Sequence, residues 1–406
     1  MDGNKKTVLL IIPNLNPGGA QNVFRQHLEF LSESYSVHGC VFNWDGALSE
    51  QWPFPVHSLQ IPAGNNLLTK VYYFLKRVGG LRALKKKIQP HISISHLEGA
   101  DYVNILSRQT DKIVLWIHGT KQHDANIHGA LGWFRKQVLM TWLYKKANKI
   151  VCVSQALQHE LKEYYPATRE KLLTIYNGFD LDRIKRLSTE PVDSDFIKLC
   201  QDHFVIITHC RLALQKNLTA FIQLAALLKQ HSSIKWVIIG DGEERAHLLK
   251  KCSELKLRTY ERWGSHQWNP DDQLFFLGYH QNPYAFLRHA GLYLMTSGWE
   301  GFPLALCEAL ACGLPAMATD CPTGPREILT SGATGRTLSP GVVEFGMLLP
   351  LLNHPSSIQE SSRFIEEVHK QPSLLNTYRD IGPIRVQAFT ISQTHREIAH
   401  LMKSLI

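Results

Sequence analysis

The sequence predicts an α/β fold with two doubly wound parallel-sheet domains. Short apolar runs alternate with longer amphipathic stretches, a pattern typical of βα units. The 406 residues suffice for two domains that each bury a core. The predicted strands are Val8–Ile12, Val37–Phe42, His91–Ser95, Ile113–Ile117, Lys149–Val153, Leu172–Tyr176, Phe204–Thr208, Lys235–Ile239, Leu274–Phe276, Leu292–Met295 and Pro315–Ala318.

Helical stretches such as Gln21–Leu31 and Leu218–Lys229 follow the predicted strands. A polar connector near Asn177–Ile197 indicates the domain boundary, so we expect a first domain over residues 1–186 and a second over 187–385. Residues 386–406 include a predicted helix, Thr390–Leu405. Doubly wound sheets bind ligands at the carboxyl ends of their strands. Two such domains facing each other would place a site in the cleft between them.

The composition, 44% hydrophobic and 19% charged, is that of a globular protein. No apolar run approaches the ~18 residues of a membrane helix. The apolar stretch after Lys5 and Lys6 stops at Pro13, which is too short for a secretory signal, and it is better interpreted as the first strand. Eight scattered cysteines without a Cys-x-x-Cys pair favour reduced thiols in the cytoplasm.

The positive charge is concentrated in the first half of the chain. Residues 1–186 carry 24 Lys/Arg against 14 Asp/Glu, whereas residues 187–406 carry 20 against 21. The excess indicates either a generally basic surface or a surface that contacts an anionic membrane or a lipid phosphate. Nucleic acid is not expected as a partner, because no recognised binding motif accompanies the charge.

The most informative segment runs from Thr296 to Leu329. It holds a loop glutamate, Glu300, and a helix glutamate, Glu308, around a Gly-Phe-Pro turn. Paired carboxylates can accept hydrogen bonds from vicinal hydroxyls, which suits a polyhydroxylated nucleotide ligand. The carboxylate pair of a glycosidase is the rival interpretation, and two surface acids are the simplest one.

Two cations precede a helix in the first βα loop of the second half. Arg211 and Lys216 would lie beside the free N–H groups of that helix and could clamp a diphosphate. They could also be solvated surface cations. The clamp favours a phosphorylated sugar over a plain glycan. The turn Gly240-Asp-Gly242 is interpreted as structural, because Asp241 and Glu243 would repel an anion there.

The first half offers two weaker signals. Gly18 and Gly19 follow the first strand and precede a helix, which allows close approach to an anion or forms a tight turn only. His118 closes the strand Ile113–Ile117, where its side chain would point into the site or be an ordinary satisfied histidine.

No metal site is expected from the sequence. His123 and His128 follow His118 at intervals of five, which do not line one helix face. Asp193-Ser-Asp195 is similar to the Asp-x-Asp manganese motif, but it lies in the polar connector, so a solvated loop is the better interpretation.

With these residues placed, the chain resembles a family 4 retaining glycosyltransferase of the GT-B fold. The resemblance extends over most of the length, and its most specific part is the segment with the two glutamates. The other matching motifs are Gly18-Gly19, His118-Gly119, Val151-Cys-Val-Ser154, Asn177-Gly-Phe-Asp180, Arg211 with Lys216-Asn217, Gly240-Asp-Gly242 and Phe276-Leu-Gly-Tyr279. The GT-B fold implies two Rossmann-like domains, the first for the acceptor and the second for the nucleotide sugar, with residues 386–406 crossing back to the first.

The resemblance also implies roles in the reaction. Arg211 and Lys216 would neutralise the donor diphosphate, and Glu300 would bind the hydroxyls of the transferred sugar. His118 would lie by the anomeric centre and stabilise developing positive charge through its backbone or ring.

Further residues would bind the donor. Glu308 would hold the ribose hydroxyls, and the stretch near Tyr279 would hold the base. Backbone N–H groups at Gly301, Phe302 and Leu304 would approach the sugar or phosphates, and the Gly18-Gly19 loop belongs to the same set. The sequence departs from the family pattern at Cys210, where glycine is usual, and at Gln21, where a charged residue is usual.

The implied reaction moves a hexosyl or N-acetylhexosaminyl unit from a nucleoside diphosphate sugar to a glycan or lipid-diphosphate-linked acceptor, with retention and without a metal or other cofactor. The tail Cys321–Leu329 resembles members that build bacterial surface polysaccharides, which favours a UDP-sugar. The enzyme would then work in the cytoplasm, at the inner face of the membrane. Leu67–Ile88 and Leu131–Lys149 carry aromatic and basic residues, so they are either interfacial helices or ordinary helices packed on a sheet.

Three other functions remain open at this point. A UDP-sugar 2-epimerase would share the two-domain fold and need no acceptor. A phosphorylase of the same architecture would need pyridoxal phosphate on a lysine, and no lysine has an obvious claim. A non-catalytic nucleotide-sugar binding protein would keep the same four charged residues.

Overall fold

The computed structural model describes residues 5–16, 18–43, 55–123, 132–133, 135–332 and 334–406. They form two compact units, one of residues up to Asn177 together with Ser392–Ile406, and one of Gly178–Ile391. The division after Asn177 falls at the start of the boundary region that the sequence indicated. Within the first unit, the Thr394 hydroxyl donates to the Tyr176 carbonyl at 2.9 Å.

The described residues of the first unit form a seven-stranded parallel sheet in the order β3-β2-β1-β4-β5-β6-β7. In register, Val8 pairs with Val37 on one side and with Ile92 on the other. The strands are β1 (Thr7–Ile12), β2 (Ser36–Val41), β3 (Val56–Ser58), β4 (Ile92–His96), β5 (Lys112–Ile117), β6 (Lys149–Cys152) and β7 (Leu172–Thr174).

Five described helices accompany this sheet: α1 (Gly19–Ser32), α2 (Leu67–Ile88), α3 (Glu98–Leu106), α4 (Thr141–Tyr144) and α5 (Gln155–Tyr164). Helix α2 begins at a capping box, in which the Asn66 side chain accepts from the Thr69 N–H and the Thr69 hydroxyl accepts from the Asn66 N–H. The core between sheet and helices includes Leu9, Ile11 and Leu81.

The described residues of the second unit form an eight-stranded sheet in the order β10-β11-β9-β8-β12-β13-β15-β14, and among them only β14 and β15 pair antiparallel. Its strands are β8 (Phe204–His209), β9 (Ile234–Ile239), β10 (Thr259–Glu261), β11 (Leu274–Gly278), β12 (Leu292–Met295), β13 (Ala316–Thr319), β14 (Gly341–Val343) and β15 (Gly346–Leu349).

Its core includes Phe221, from the helix Leu218–Leu227, which contacts Trp236 of β9 edge-on at 5.1 Å between ring centroids. The helices are α6 (Leu181–Ser188), α7 (Ser194–Asp202), α8 (Leu218–Leu227), α9 (Arg245–Glu254), α10 (Tyr284–Leu287), α11 (Leu304–Ala311), α12 (Pro325–Leu329), α13 (Pro355–His369), α14 (Pro372–Arg385) and α15 (Ile391–Leu405), whose residues from Ser392 belong to the first unit.

The prediction of one helix over Leu131–Lys149 is wrong in its described part. Arg135–Met140 is a π-helical stretch, α4 is a single turn, and Lys149 already belongs to β6. The helix ends because Asn148 bonds the start of β5: its N–H donates to the Ile113 carbonyl at 2.8 Å, and its side-chain oxygen accepts from the Ile113 N–H at 2.9 Å. His128 and Leu131, which the sequence predictions involve, lie outside the described residues.

Each sheet has a switch point where the chain reverses its direction of winding. In the first unit it lies between β1 and β4, and in the second between β8 and β12. Loops that leave the carboxyl ends of β8 and β12 therefore lie side by side, which is where such sheets bind ligands. Among the described helices, none combines the length and the apolar character needed to cross a membrane.

Candidate functional site

The switch point of the second unit joins Lys216 to Glu300. After β8 the chain passes through a 3₁₀ turn, Leu214–Lys216, and enters α8 at Asn217, whose φ is 46°. This turn directs the Lys216 ammonium toward the loop after β12, where its Nζ lies 2.7 Å from Glu300 Oε1. Lys216 and Glu300 were predicted separately, and the structure brings them together as an ion pair.

The Glu300 carboxylate is held by two further donors. The Ser297 hydroxyl donates to Oε1 at 2.7 Å, and Gln215 Nε2 donates to Oε2 at 3.2 Å. Only 6% of the Glu300 side chain is exposed. Burial opposes the charge on Lys216, but the nearby Glu300 carboxylate outweighs it and raises the pKa of Lys216. Lys216 therefore keeps its positive charge, and the hydrogen bonds hold the Glu300 side chain in one orientation.

Glu308 lies on α11 and forms a separate network. Its Oε2 is 2.8 Å from His209 Nε2, and its Oε1 accepts from the Tyr284 hydroxyl at 3.1 Å. His209 is the last residue of β8, and Tyr284 is the first residue of α10. Burial and the adjacent Glu308 raise the pKa of Tyr284, so its hydroxyl remains a donor. These two bonds hold the Glu308 carboxylate in one orientation, and 20% of the Glu308 side chain is exposed.

Arg211 bonds Glu243 rather than another predicted site residue. Its Nε donates to Glu243 Oε2 at 3.0 Å, and both side chains are more than half exposed. The turn that follows β9 is hydrogen-bonded to the loop that carries Arg211, because the Leu212 N–H donates to the Asp241 carbonyl at 3.0 Å. Gly240 has a φ of 145°, and a Cβ there would lie 1.8 Å from the Cys210 carbonyl oxygen. This close approach agrees with the interpretation of the turn as structural.

The loop between Glu300 and α11 is tightly packed. Phe302 is 5% exposed and contacts Phe389 edge-on, and Leu304 begins α11. Gly324 has a φ of 93°, and a Cβ there would lie 2.5 Å from Pro303 and 3.0 Å from the Gly301 carbonyl oxygen. The backbone that the family resemblance assigns to donor binding is thus held in place by a residue that must be glycine.

The remaining donor-binding predictions are Tyr279 and the Gly18-Gly19 loop. Tyr279 follows β11 and is 68% exposed, so its ring is accessible to a ligand. In the first unit, Gly18 caps α1 and Gly19 is its first residue. Gln21, which departs from the family pattern, donates through its side-chain nitrogen to the Asn14 side-chain oxygen at 3.2 Å.

His118 follows β5 and contacts the histidine that ends β4. Its Nε2 lies 2.9 Å from His96 Nδ1, and the two rings stack with centroids 5.1 Å apart. Burial, together with the nearby Lys121, lowers the pKa of His118 to about 3. The imidazole is therefore neutral at physiological pH.

The search for a metal site covers the described residues only. Among them, no group of three or more His, Cys, Asp or Glu side chains could hold a metal ion. Asp193 accepts from the Asp195 N–H at 2.8 Å and caps α7, so this Asp-x-Asp sequence is a helix start rather than the predicted loop. Metal independence itself stays a prediction.

Four residues that hold the glutamates were missed by the sequence reasoning. Gln215 directly precedes Lys216, Ser297 lies three residues before Glu300, and His209 directly follows the predicted strand Phe204–Thr208, so proximity along the chain was an available signal. Tyr284 had none, because it reaches Glu308 only through the packing of α10 against α11.

Two family models match this chain. "Glycosyltransferase Family 4" matches residues 17–183, and "Glycosyl transferases group 1" matches residues 193–344. An uncharacterized glycosyltransferase of Methanocaldococcus jannaschii is 26% identical over 276 residues, which is 65% of this chain and 64% of that protein.

A second relative matches over nearly its whole length. The N-acetylgalactosamine-N,N'-diacetylbacillosaminyl-diphospho-undecaprenol 4-alpha-N-acetylgalactosaminyltransferase of Campylobacter jejuni is 26% identical over 94% of both chains. Among solved structures, Anabaena HepE in complex with UDP and glucose has a TM-score of 0.73 at 20% identity, over 99% of this chain and 100% of that one. This likeness shows the shared GT-B fold. The chain belongs to the family 4 glycosyltransferases.

Proposed function

We propose that this glycosyltransferase moves a hexosyl or N-acetylhexosaminyl unit from a UDP-sugar to a hydroxyl of a lipid-linked glycan, in the assembly of a bacterial surface polysaccharide. The observation that carries the proposal is the arrangement at the switch point of the second unit. There, the Lys216–Glu300 pair and the Glu308 carboxylate are each held by buried or half-buried partners. A phosphorylated sugar needs a cation and fixed acceptors of this kind.

Lys216 would neutralise the donor diphosphate. The Lys216 ammonium has three N–H donors, and one of them donates to Glu300. The remaining donors would serve phosphate oxygens. Arg211 would exchange its exposed bond to Glu243 for another phosphate oxygen, at small cost because exposed ion pairs contribute about 0–1 kcal/mol. Neutralising the charge that develops on the leaving diphosphate would be the main catalytic contribution.

The two glutamates would bind the sugar rings. Glu308 would accept from the ribose hydroxyls, since His209 and Tyr284 leave lone pairs on its carboxylate unused. Glu300 would accept from hydroxyls of the transferred sugar. In the retaining mechanism that the family resemblance implies, the leaving phosphate takes the acceptor proton, so neither carboxylate acts as a nucleophile and no metal is required.

The choice of donor and acceptor is supported by the relatives. HepE was solved with UDP and glucose, which supports a UDP-sugar. The name of the Campylobacter jejuni relative includes a diphospho-undecaprenol-linked sugar, which supports a lipid-diphosphate acceptor. The cytoplasmic face of the membrane as the place of this acceptor is part of the proposal.

Helix α2 would bring the enzyme to that membrane. The Lys76 ammonium lies over the ring of Tyr72, 4.7 Å from the ring centroid. The helix therefore presents aromatic and basic groups together. Five large apolar side chains on it are more than half exposed, namely Leu67, Leu68, Val71, Tyr72 and Leu75. Burial of these side chains in the headgroup region of an anionic bilayer would remove them from water.

The test is nucleoside diphosphate release from a panel of UDP- and GDP-sugars, in EDTA, with and without a lipid-linked oligosaccharide extract. We expect acceptor-dependent release from one UDP-sugar, its loss in Glu308→Ala, and full activity in Glu360→Ala, which removes an exposed glutamate of α13. Release that requires a divalent cation would contradict the metal-free mechanism. Conversion of a UDP-sugar without any acceptor would identify an isomerase instead.

A further inference from the structure

The Glu308 carboxylate is hydrogen-bonded from two sides within the second unit. His209 Nε2, at the end of β8, lies 2.8 Å from Oε2, and the Tyr284 hydroxyl, at the start of α10, donates to Oε1 at 3.1 Å. Glu308 itself lies on a third element, α11. The carboxylate is therefore tied both to the sheet and to a neighbouring helix, and it cannot rotate without breaking one of these bonds.

The two bonds determine what the carboxylate can still accept. A carboxylate has about four lone-pair sites, shared between its two oxygens, and it donates no hydrogen bond. Within the described part of the chain, each Glu308 oxygen has one protein donor, which leaves an acceptor site on each for a ligand. Two acceptor sites side by side match hydroxyls on neighbouring carbon atoms, such as the 2′ and 3′ hydroxyls of a ribose.

The same bonds raise the cost of binding a ligand that lacks one of the two hydroxyls. The Glu308 side chain is 20% exposed and the His209 side chain 10% exposed, so a bound nucleotide would leave little room for water around the carboxylate. An oxygen that has lost its ligand donor and cannot turn toward another one stays unpaired. Sites built to hydrogen-bond a hydroxyl reject analogues without it for this reason.

We propose that His209 and Tyr284 are positioning residues that make this glycosyltransferase selective for ribonucleoside diphosphate sugars over 2′-deoxyribonucleoside diphosphate sugars, such as those of deoxythymidine. The proposal rests on the proposed function for the place of the ribose beside Glu308. Selectivity then depends on the two bonds to the carboxylate and not on Glu308 alone, because a glutamate held by one bond would turn to accept from water when a hydroxyl is missing.

The direct test is the affinity of the wild type for UDP, 2′-deoxy-UDP and 3′-deoxy-UDP, measured by isothermal titration calorimetry without an acceptor. We expect each deoxy nucleotide to bind about 10- to 150-fold more weakly than UDP, as the loss of a hydrogen bond to a charged group implies. Equal affinity for all three nucleotides would overturn the inference and leave the UDP-sugar donor in place. If the protein binds GDP rather than UDP, the proposed donor is wrong, and a similar preference for GDP over 2′-deoxy-GDP still supports the inference.

Variants of the two positioning residues test their role. Tyr284→Phe removes the hydroxyl and keeps the ring, so we expect the ratio of the dissociation constants of 2′-deoxy-UDP and UDP to fall about three- to tenfold. His209→Gln places an amide nitrogen near the position of Nε2 and should keep most of the ratio, whereas the shorter His209→Asn should lose it. The matched control is Tyr378→Phe, since the Tyr378 hydroxyl donates to the Val343 carbonyl at 2.7 Å on β14, at the edge of the same sheet.

The ratio of dissociation constants separates positioning from packing. A packing defect weakens UDP and 2′-deoxy-UDP by the same factor and leaves their ratio unchanged. Ratios equal to that of the wild type in both Tyr284→Phe and His209→Asn would therefore overturn the role of these residues, even if both variants bind UDP more weakly. Tyr284→Phe decides the question by itself if His209→Asn does not fold.

Discussion

Replacement of Arg211 by methionine should weaken donor binding with little effect on stability. The Arg211 side chain is 58% exposed, its partner Glu243 is 53% exposed, and such exposed pairs contribute about 0–1 kcal/mol to folding. A charged hydrogen bond to a diphosphate oxygen is worth about 1.5–3 kcal/mol. We therefore expect kcat/KM to fall about 10- to 150-fold, while the urea midpoint is unchanged.

The same substitution at Lys216 should cost both activity and stability. Methionine there leaves the Glu300 carboxylate, 6% exposed, without its counter-ion. Loss of one partner of a buried pair destabilises a protein by about 3 kcal/mol, although Ser297 and Gln215 continue to bond the carboxylate. Arg211→Met should lower activity alone, whereas Lys216→Met should lower both activity and stability. Comparing the two variants therefore separates donor binding from structural support.

The matched control is Arg245→Met. Arg245 is 42% exposed and pairs with Asp241, 40% exposed, in the turn that supports the Arg211 loop. We expect its donor kinetics to match those of the wild type when initial rates of UDP release are measured over a range of donor concentrations. If Arg211→Met and Arg245→Met behave alike, Arg211 has no specific role toward the donor and the diphosphate clamp is wrong.

Three further predictions concern the framework and the surface. Gly240→Ala should lower the free energy of unfolding by about 1–3 kcal/mol, because its Cβ would overlap a carbonyl oxygen, while Gly341→Ala, with open space around it, should change the urea midpoint little. Burial, then His118 and His395, lower the pKa of His27 to about 3, so the unfolded chain binds a proton below pH 6.5 that the folded chain does not. His27 alone should therefore lower the free energy of unfolding by about 2 kcal/mol between pH 7 and pH 5, in addition to the falls caused by His96 and His118, whose pKa values are also lowered, and His27→Phe should remove its own part of the dependence. Leu68, 82% exposed on α2, should support binding to anionic vesicles, so Leu68→Glu should reduce sedimentation with them; equal sedimentation of the wild type with neutral and anionic vesicles at low salt would exclude this surface.

The sequence could predict the elements that consist of short apolar runs between turns. All eleven predicted strands are present, within two residues at each end. The strands β3, β10 and β14 have three residues each and no buried ones, so they offered no apolar signal. The four-residue β15 is fully buried, but it follows directly on β14 and was missed with it.

The site could be predicted only as a set of separate residues. Lys216 and Glu300 were recognised by type and position, but their ion pair depends on β8 lying beside β12, and strand order is not readable from local pattern. Likewise, the sequence indicated that Glu308 lies on a helix, but not that His209 and Tyr284 would hold its carboxylate from a strand end and from another helix. Tertiary neighbours of this kind are set by packing rather than by spacing along the chain.

The nucleotide site in the second unit is tested most directly by a crystal structure of the protein with UDP. We expect the ribose hydroxyls within about 3.2 Å of the Glu308 carboxylate, and diphosphate oxygens at the same distance from Lys216 Nζ and from the Arg211 guanidinium, which would have left Glu243. UDP bound away from the carboxyl ends of β8 and β12, or with its diphosphate contacting neither cation, would contradict the proposed donor site.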